Sequence, residues 1–228
     1  MTRLTVLMPV FNERPTIEAA IERVLDVCIE GGLELLVVDD GSTDGTAEFL
    51  SESEWSEAVR IVKRPRNQGK GAAIRTGLIE ATGEYCTILD ADLEYDPANL
   101  PLLLEPLLRG EADAVYGVRG FQAHSSYSFW YVVGNKAVTL AANVLYNTWL
   151  ADLMTCQKVM PTSVFRSLPL QTNGFAIEAE ITARLLRSGS RIYEVPIAYR
   201  ARTRAEGKKL TAKDGLRVLA TLARCRVL

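Results

Sequence analysis

The sequence contains little histidine and little cysteine. His124 is the single histidine, and the four cysteines are far apart in the chain, at Cys28, Cys86, Cys156 and Cys225. Without a CxxC pair or a histidine cluster, the pattern excludes the common zinc-binding motifs. It indicates reduced thiols of a cytosolic protein.

An excess of basic charge is also lacking. The chain has 26 basic and 28 acidic side chains, a net charge of -2, and this argues against a nucleic-acid-binding protein. No signal peptide is recognisable after Met1, and the most apolar segment, Phe129 to Met154, is interrupted by too many polar residues to span a bilayer. These features predict a cytoplasmic protein with no more than peripheral membrane contact.

The Walker order GxxxxGK[ST] is absent too. Gly69-Lys70-Gly71 precedes a predicted helix and suggests an anion site made of backbone N–H groups and one ammonium. On its own, such a sequence is more often a flexible turn.

What the chain does contain is an alternation of apolar strands and helices. Leu4–Val10 and 34–39 read as buried strands, with a helix from Ile17 between them, which predicts a parallel sheet. The second strand ends in Asp39 and Asp40, at the edge of the sheet where ligands bind in open α/β folds. Helix capping alone does not explain two acids at this edge, so they indicate a functional site.

Three more acids follow a later predicted strand, 85–89, at alternate positions Asp90, Asp92 and Glu94. If the extended geometry continues past the strand, they share one face. Close carboxylates repel each other unless a cation or strong donors neutralise them, and their hard oxygens suit Mg²⁺ or Mn²⁺. The alternative interpretation is a solvated acidic turn.

The second half is less regular. The segment 122–131 is polar and aromatic and is predicted to be a mobile loop bordering an acceptor site, followed by a long helix reaching 149–152 and a strand over 156–160. Glu178 and Glu180 lie two apart on a predicted helix, 176–187, so at most one faces the site. A dense basic cluster follows at 200–209.

The last segment predicts an amphipathic helix with one apolar face. We expect this face to pack on the core, and a membrane-surface role is the alternative. Its members are Leu216, Leu219, Ala220, Ala223 and Val227.

Four ordered motifs together resemble the family 2 glycosyltransferases of GT-A fold, with the dolichyl- or polyprenyl-phosphate sugar transferases as the nearest likeness. They begin at Pro9, Val38, Asn67 and Asp90, and the resemblance continues through 117–119, Asp152, the Glu178 helix, 194–199 and 207–210. It implies a single α/β domain over 1–228, with a mostly parallel sheet flanked by helices. Residues 1–119 would form the nucleotide-sugar-binding half and 120–228 the acceptor-side half.

The resemblance also implies residue roles. Pro9, Phe11, Glu13 and Asp40 match positions around the nucleotide base and ribose, and Lys70 matches one near the nucleotide. Asp90, Asp92 and Glu94 match the metal-binding segment, although relatives often have Gln in place of Glu94. Asp90 would also border the nucleotide. The residues that match positions for donor or acceptor phosphates are Arg119, Arg202, Lys208 and Lys209.

The implied reaction is an inverting transfer from a UDP- or GDP-linked sugar to a polyprenyl phosphate, with Mg²⁺ or Mn²⁺ and with Asp92, Arg119 and Asp152 as the catalytic residues. A lipid monophosphate is already largely a dianion near neutrality and needs no general base. A hydroxyl acceptor would need one, for which Asp152 and Glu178 are the candidates. The remaining alternatives are a nucleotidyltransferase and a non-catalytic nucleotide-sugar-binding subunit.

Overall fold

Buried β-branched and leucine-rich segments form the strands of the protein, and amphipathic segments form the helices around them. The computed structural model describes residues 4–120, 129–201 and 212–227. The strands are β1 (Leu4–Val10), β2 (Leu33–Asp39), β3 (Val59–Lys63), β4 (Tyr85–Ile88), β5 (Ala114–Arg119), β6 (Lys158–Pro161) and β7 (Ile192–Ile197). The helices are α1 (Ile17–Leu25), α2 (Thr46–Glu52), α3 (Lys70–Glu80), α4 (Leu100–Leu108), α5 (Phe129–Tyr146), α6 (Thr162–Ser167), α7 (Ile177–Arg187) and α8 (Ala212–Val227), with a 3₁₀ turn over Pro97–Asn99.

The seven described strands form one sheet in the order β3-β2-β1-β4-β6-β5-β7. The first four are mutually parallel, β6 runs antiparallel to both β4 and β5, and β7 is parallel to β5. The predicted mostly parallel sheet is confirmed. Pro196 lies in β7 at the edge of the sheet, where its missing N–H is tolerated.

Alternating side chains of β1 supply the apolar interior on the two faces of the sheet. Val6 and Met8 belong to a cluster with residues of α1 and α4, and Leu7 belongs to a cluster with residues of α3, α6 and α7. Both faces are therefore covered, as expected for parallel strands. This leaves the carboxyl edge of the strands as the open side of the fold.

A third apolar cluster joins α5, α7 and α8, and it corrects the prediction for α8. The helix packs through Val218, Leu222 and Cys225, whereas every member of the predicted apolar face is exposed. The helix has apolar residues on two sides, and the pattern alone does not specify which side meets α5. Among the helices that the structure describes, none is long and apolar enough to cross a membrane.

Two predicted boundaries differ near the open edge. The predicted loop 122–131 ends earlier, because α5 begins at Phe129 and already contains Tyr131; residues 121–128 lie outside the described part of the chain. The same helix ends at Tyr146 and does not reach Trp149, since Asn147 adopts a left-handed conformation with φ 50°. Asparagine is one of the few residues that tolerates this conformation.

Candidate active site

A pocket of about 280 Å³ opens at the carboxyl edge of the sheet. Ends of β1, β2, β4 and β5 contribute to its wall, together with the first turns of α3, α5 and α7. The sequence-predicted residues that the structure brings together here are Pro9, Phe11, Glu13, Asp40, Lys70, Asp90, Asp92, Glu94 and Arg119. These nine come from five separate segments of the chain, so their convergence is a property of the fold.

Asp40 holds the loop between β3 and α3 against the end of β2. Its buried carboxylate accepts N–H bonds from Gln68 at 3.0 Å and Gly69 at 2.6 Å, and it pairs with the guanidinium of Arg64. The capping interpretation does not apply to Asp40, because its partners lie more than twenty residues away. Its side chain instead shapes one wall of the pocket.

The predicted backbone anion site at Gly69-Lys70-Gly71 is wrong. Gly69 N–H already donates to Asp40, and the N–H groups of Gly71 and Ala72 donate to the carbonyl of Asn173 at 2.7 and 3.2 Å. A Cβ at Gly71 would lie 2.2 Å from the carbonyl oxygen of Thr172. The glycines therefore allow the 172–173 segment to pack on the start of α3, and the side chain of Lys70 lines the pocket.

The ammonium of Lys70 bridges two carboxylates in the pocket wall. It lies 2.8 Å from Asp90 and 3.0 Å from Glu178. Burial disfavours the charged lysine, but the attraction of Asp90 and Glu178 outweighs it and raises the pKa of Lys70 well above its ordinary value. Lys70 therefore stays positively charged at every physiological pH.

The segment Asp90–Glu94 does not continue the strand, so the expectation of a shared extended face is wrong. β4 ends at Ile88, Leu93 has a φ of 60°, and the carboxylate of Asp92 accepts the N–H of Glu94 at 3.1 Å. Asp92 is thus the first residue of a tight turn of the kind that its short acidic side chain favours. The turn still points all three acids into the pocket.

The three acids of the predicted metal-binding segment have different partners in the structure. Glu94 accepts a hydrogen bond of 2.6 Å from the hydroxyl of Tyr199, and within residues 4–120, 129–201 and 212–227 no three acids, cysteines or histidines are grouped to hold a metal. Asp90 and Asp92 remain as carboxylates in the wall of one pocket. Two carboxylates completed by substrate phosphates and water form a common Mg²⁺ site, so these residues fit such an ion.

Arg119, at the end of β5, is locked by Asp152. Its Nε and Nη2 donate to the two carboxylate oxygens at 2.6 and 2.7 Å, and its Nη1 donates to the hydroxyl of Tyr131 at 3.1 Å. Burial alone would raise the pKa of Asp152, but the guanidinium outweighs it and lowers that pKa. The carboxylate of Asp152 is fully buried and is not among the residues that line the pocket, and its catalytic role stays a prediction.

Glu178 and Glu180 point to different places, as their spacing predicted. Glu178 lines the pocket, whereas Glu180 accepts the backbone N–H groups of Gln171 and Thr172 at 3.0 and 2.7 Å. Glu180 therefore fixes the segment that packs on the start of α3.

Beneath Glu178 lies Lys158, which sequence reasoning missed. Its ammonium is fully buried and 2.6 Å from Glu178. Burial lowers the pKa of Lys158, and the attraction of Glu178 opposes this. The available signal was a lysine in the predicted strand 156–160, since buried lysines are paired.

The remaining predicted phosphate ligands, Arg202, Lys208 and Lys209, lie outside the described residues. The structure adds aromatic side chains that were not predicted for the site. Tyr95 and Phe175 line the pocket, and the rings of Tyr95 and Tyr199 lie 4.9 Å apart. Only their position in space, and no local pattern, marks these residues.

The fold is that of the GT-A nucleotide-sugar transferases. Crystal structures of glucosyl-3-phosphoglycerate synthase from Mycobacterium tuberculosis match with a TM-score of 0.77, at 23% sequence identity, over 100% of this chain and 81% of theirs. A second structure of the same synthase, with Mg²⁺ and uridine diphosphate, gives a TM-score of 0.75 at 24% identity, over 100% of this chain and 80% of that one.

The chain belongs to glycosyl transferase family 2, because the model of that family matches residues 5–168. It is 27% identical over 210 residues to a dolichol-phosphate mannosyltransferase of Pyrococcus furiosus, covering 90% of this chain. It is 30% identical over 200 residues to an undecaprenyl-phosphate 4-deoxy-4-formamido-L-arabinose transferase of Aeromonas hydrophila, covering 78% of this chain. The chain spans 59% of the length of each of these relatives.

Proposed function

We propose that this chain is the catalytic domain of an inverting, metal-dependent glycosyltransferase that moves a sugar from a nucleotide-diphosphate sugar to a polyprenyl phosphate. Membership of family 2 supports the transfer of a sugar. The names of the Pyrococcus and Aeromonas relatives support a lipid-phosphate acceptor. The pocket at the carboxyl edge supports a single site for both substrates.

The nucleotide would occupy the β1 and β2 side of the pocket. Pro9, Phe11 and Glu13 follow one strand end and Asp40 follows the next, so the base and ribose would lie between them. The synthase from M. tuberculosis was crystallised with uridine diphosphate. A UDP-linked or a GDP-linked donor both remain within the proposal.

Asp90 and Asp92 would hold Mg²⁺ or Mn²⁺ together with the donor diphosphate. Such an ion supplies Lewis-acid and electrostatic stabilisation of the leaving diphosphate. The related synthase was crystallised with either ion. Glu94 is a predicted ligand as well, but its hydrogen bond to Tyr199 favours a role in holding the turn.

The chemical step exchanges one bond at the anomeric carbon for another. The bond from this carbon to the β-phosphate oxygen breaks with both electrons, and an oxygen of the acceptor phosphate forms the new bond from the opposite face. The configuration inverts, and the nucleoside diphosphate leaves. Lys70, and Arg119 with its partner Asp152, would lie beside the leaving group, where their positive charges would stabilise the developing negative charge.

The proposal of a phosphate acceptor rests on the two candidate bases, Asp152 and Glu178. In the described part of the chain, the carboxylates of both are held in ion pairs. Asp152 is bound at both oxygens by Arg119. Glu178 is engaged by the buried ammonium of Lys158 at 2.6 Å and by the ammonium of Lys70 at 3.0 Å. A phosphate dianion needs no such base, whereas a hydroxyl acceptor does. Arg202, Lys208 and Lys209 are proposed to bind the acceptor phosphate.

We further propose that α5 and α8 rest on the membrane that carries the acceptor. Both helices leave apolar side chains exposed, among them Trp130, Leu140 and Val144 of α5 and Leu216 of α8, and Trp149 follows α5 with 85% of its surface exposed. Exposed basic residues on α8, Lys213 and Arg217, would meet anionic lipid headgroups. Tyr131 connects α5 to the pocket, so a lipid chain on this helix would begin next to the site.

A labelled-sugar assay tests the proposal. The purified protein is incubated with Mn²⁺, polyprenyl phosphate in detergent, and a panel of UDP- and GDP-linked donors labelled in the sugar. We expect label in the organic phase for one donor, and a loss of at least about a hundredfold for Asp92→Asn. Asp26→Asn, an exposed position at the end of α1, is the matched control. Label found only in water-soluble products would overturn the lipid acceptor.

A further inference from the structure

Lys70 occupies the edge of Asp90 that a metal ion would use. Its ammonium lies 2.8 Å from each of the two carboxylate oxygens of Asp90. A divalent ion binds carboxylate oxygens at about 2.1 Å and repels an ammonium on the same group. Given the function proposed above, on which this inference rests, metal binding to Asp90 requires Lys70 to move.

Glu178 offers the ammonium a second place. Its Oε1 is buried and lies 3.0 Å from the Nζ of Lys70, so the ammonium already touches a second carboxylate. This contact is longer than the two contacts of 2.8 Å that the same ammonium makes with Asp90. A rotation of the lysine side chain would shorten the contact with Glu178 and lengthen those with Asp90.

Lys158 keeps Glu178 in position for this exchange. Its fully buried ammonium binds the other oxygen, Oε2, at 2.6 Å and also donates to the carbonyl of Thr155. The carboxylate of Glu178 therefore cannot turn away from Lys70 without exposing an unpaired buried charge. Two lysines and two acids form one chain of charges, in the order Lys158, Glu178, Lys70 and Asp90.

We propose that Lys70 is an internal counter-cation for Asp90, displaced toward Glu178 when a divalent ion and the donor diphosphate enter together, with Glu178 and Lys158 as its positioning residues. Without nucleotide, the ammonium competes with the metal. When the nucleotide is bound, its negative diphosphate attracts both the metal ion and the ammonium of Lys70, so the two cations no longer compete for Asp90. Metal and donor binding are thereby coupled, because each is weak without the other.

Mn²⁺ binding, followed by electron paramagnetic resonance and calorimetry, tests the coupling without any turnover. Lys70→Met is expected to tighten Mn²⁺ binding to the nucleotide-free protein about tenfold, the scale of one charged hydrogen bond. In the presence of Mn²⁺, the same variant is expected to bind UDP or GDP about tenfold more weakly. Lys63→Met, at an exposed position of β3, is the control and should change neither affinity.

Glu178→Gln provides the second variant and tests the positioning role. Loss of its charge should leave Lys70 bound to Asp90 and weaken Mn²⁺ binding to the nucleotide-free protein. In the Lys70→Met background the same substitution should have no such effect, because the competing ammonium is gone. A merely structural role for Glu178 would reduce Mn²⁺ binding equally in both backgrounds. Thermal unfolding identifies variants that fail to fold.

The outcomes separate this inference from the proposed function. If Lys70→Met leaves nucleotide-free Mn²⁺ binding unchanged or weaker while the wild-type protein binds Mn²⁺ with UDP or GDP, the counter-cation role is wrong and the proposed function stands. If the wild-type protein binds neither nucleotide, the proposed function fails, and the inference fails with it.

Discussion

Asp152 accepts two parallel hydrogen bonds of 2.6 and 2.7 Å from Arg119, and both side chains are buried. Removing one member of such a pair leaves the other as an uncompensated charge in the interior. Asp152→Asn is therefore expected to reduce the free energy of unfolding by about 3–5 kcal/mol, measured by urea denaturation.

Asp113→Asn is the matched control for this prediction. Asp113 also pairs with an arginine, Arg191, at 3.3 Å, but both side chains are exposed to solvent. Its substitution should cost less than about 1 kcal/mol. Equal losses in the two variants would contradict the importance of burial for the Arg119–Asp152 pair.

The same pair predicts a pH dependence of stability. Burial tends to raise the pKa of Asp152, but the charge of Arg119 outweighs burial and lowers this pKa. A lowered pKa in the folded state means that the contribution is complete above the ordinary aspartate value of about 3.9 and is lost as the pH falls through the folded value. The difference in unfolding free energy between the wild type and Asp152→Asn should therefore stay constant above roughly pH 5 and shrink in stronger acid. A difference that grows toward acid would contradict this sign.

Gly71 is predicted to be sensitive to substitution. Its added Cβ would meet the carbonyl oxygen of Thr172 at 2.2 Å, and this backbone cannot yield without moving the segment that packs on α3. Gly71→Ala should cost about 1–3 kcal/mol, as overpacking does, and should weaken nucleotide binding by shifting Lys70. Gly215→Ala, in α8, meets nothing within 4 Å and should instead be neutral or stabilising. Calorimetric melting of both variants checks the contrast.

If α5 and α8 contact the membrane, exposed apolar residues on these helices should contribute to vesicle binding, and those on other helices should not. Leu216→Glu on α8 should lower binding to anionic lipid vesicles about tenfold in a flotation assay. Ile79→Glu on α3 is the control, because Ile79 is 78% exposed but lies on another helix. If both substitutions or neither reduce flotation, the proposed membrane face is wrong.

The sequence predicted which residues meet at the site better than it predicted how they meet. Strand ends such as Val10 and Asp39 were predictable, because apolar runs end there and parallel strands place their carboxyl ends at one edge. The turn after β4 was not, since it depends on a single left-handed residue, Leu93.

Ion pairs between residues far apart in the chain also could not be predicted from the sequence. Lys158 binds Glu178 across 20 positions and Arg119 binds Asp152 across 33, and nothing local specifies such pairs. The packing face of α8 was predicted wrongly for the same reason. Both sides of the helix carry apolar residues, and only tertiary contacts, such as those with α5, determine which side is buried.

We propose that the pocket transfers a sugar to a lipid phosphate without a general base. This is tested most directly by a competition experiment. The purified protein, with its donor and Mn²⁺, receives equal amounts of polyprenyl phosphate and the corresponding polyprenol, and the labelled products are separated by chromatography. We expect label on the phosphate alone, with inverted anomeric configuration. Label on the alcohol at a comparable rate would show that the pocket can use a hydroxyl acceptor and that the proposal is wrong.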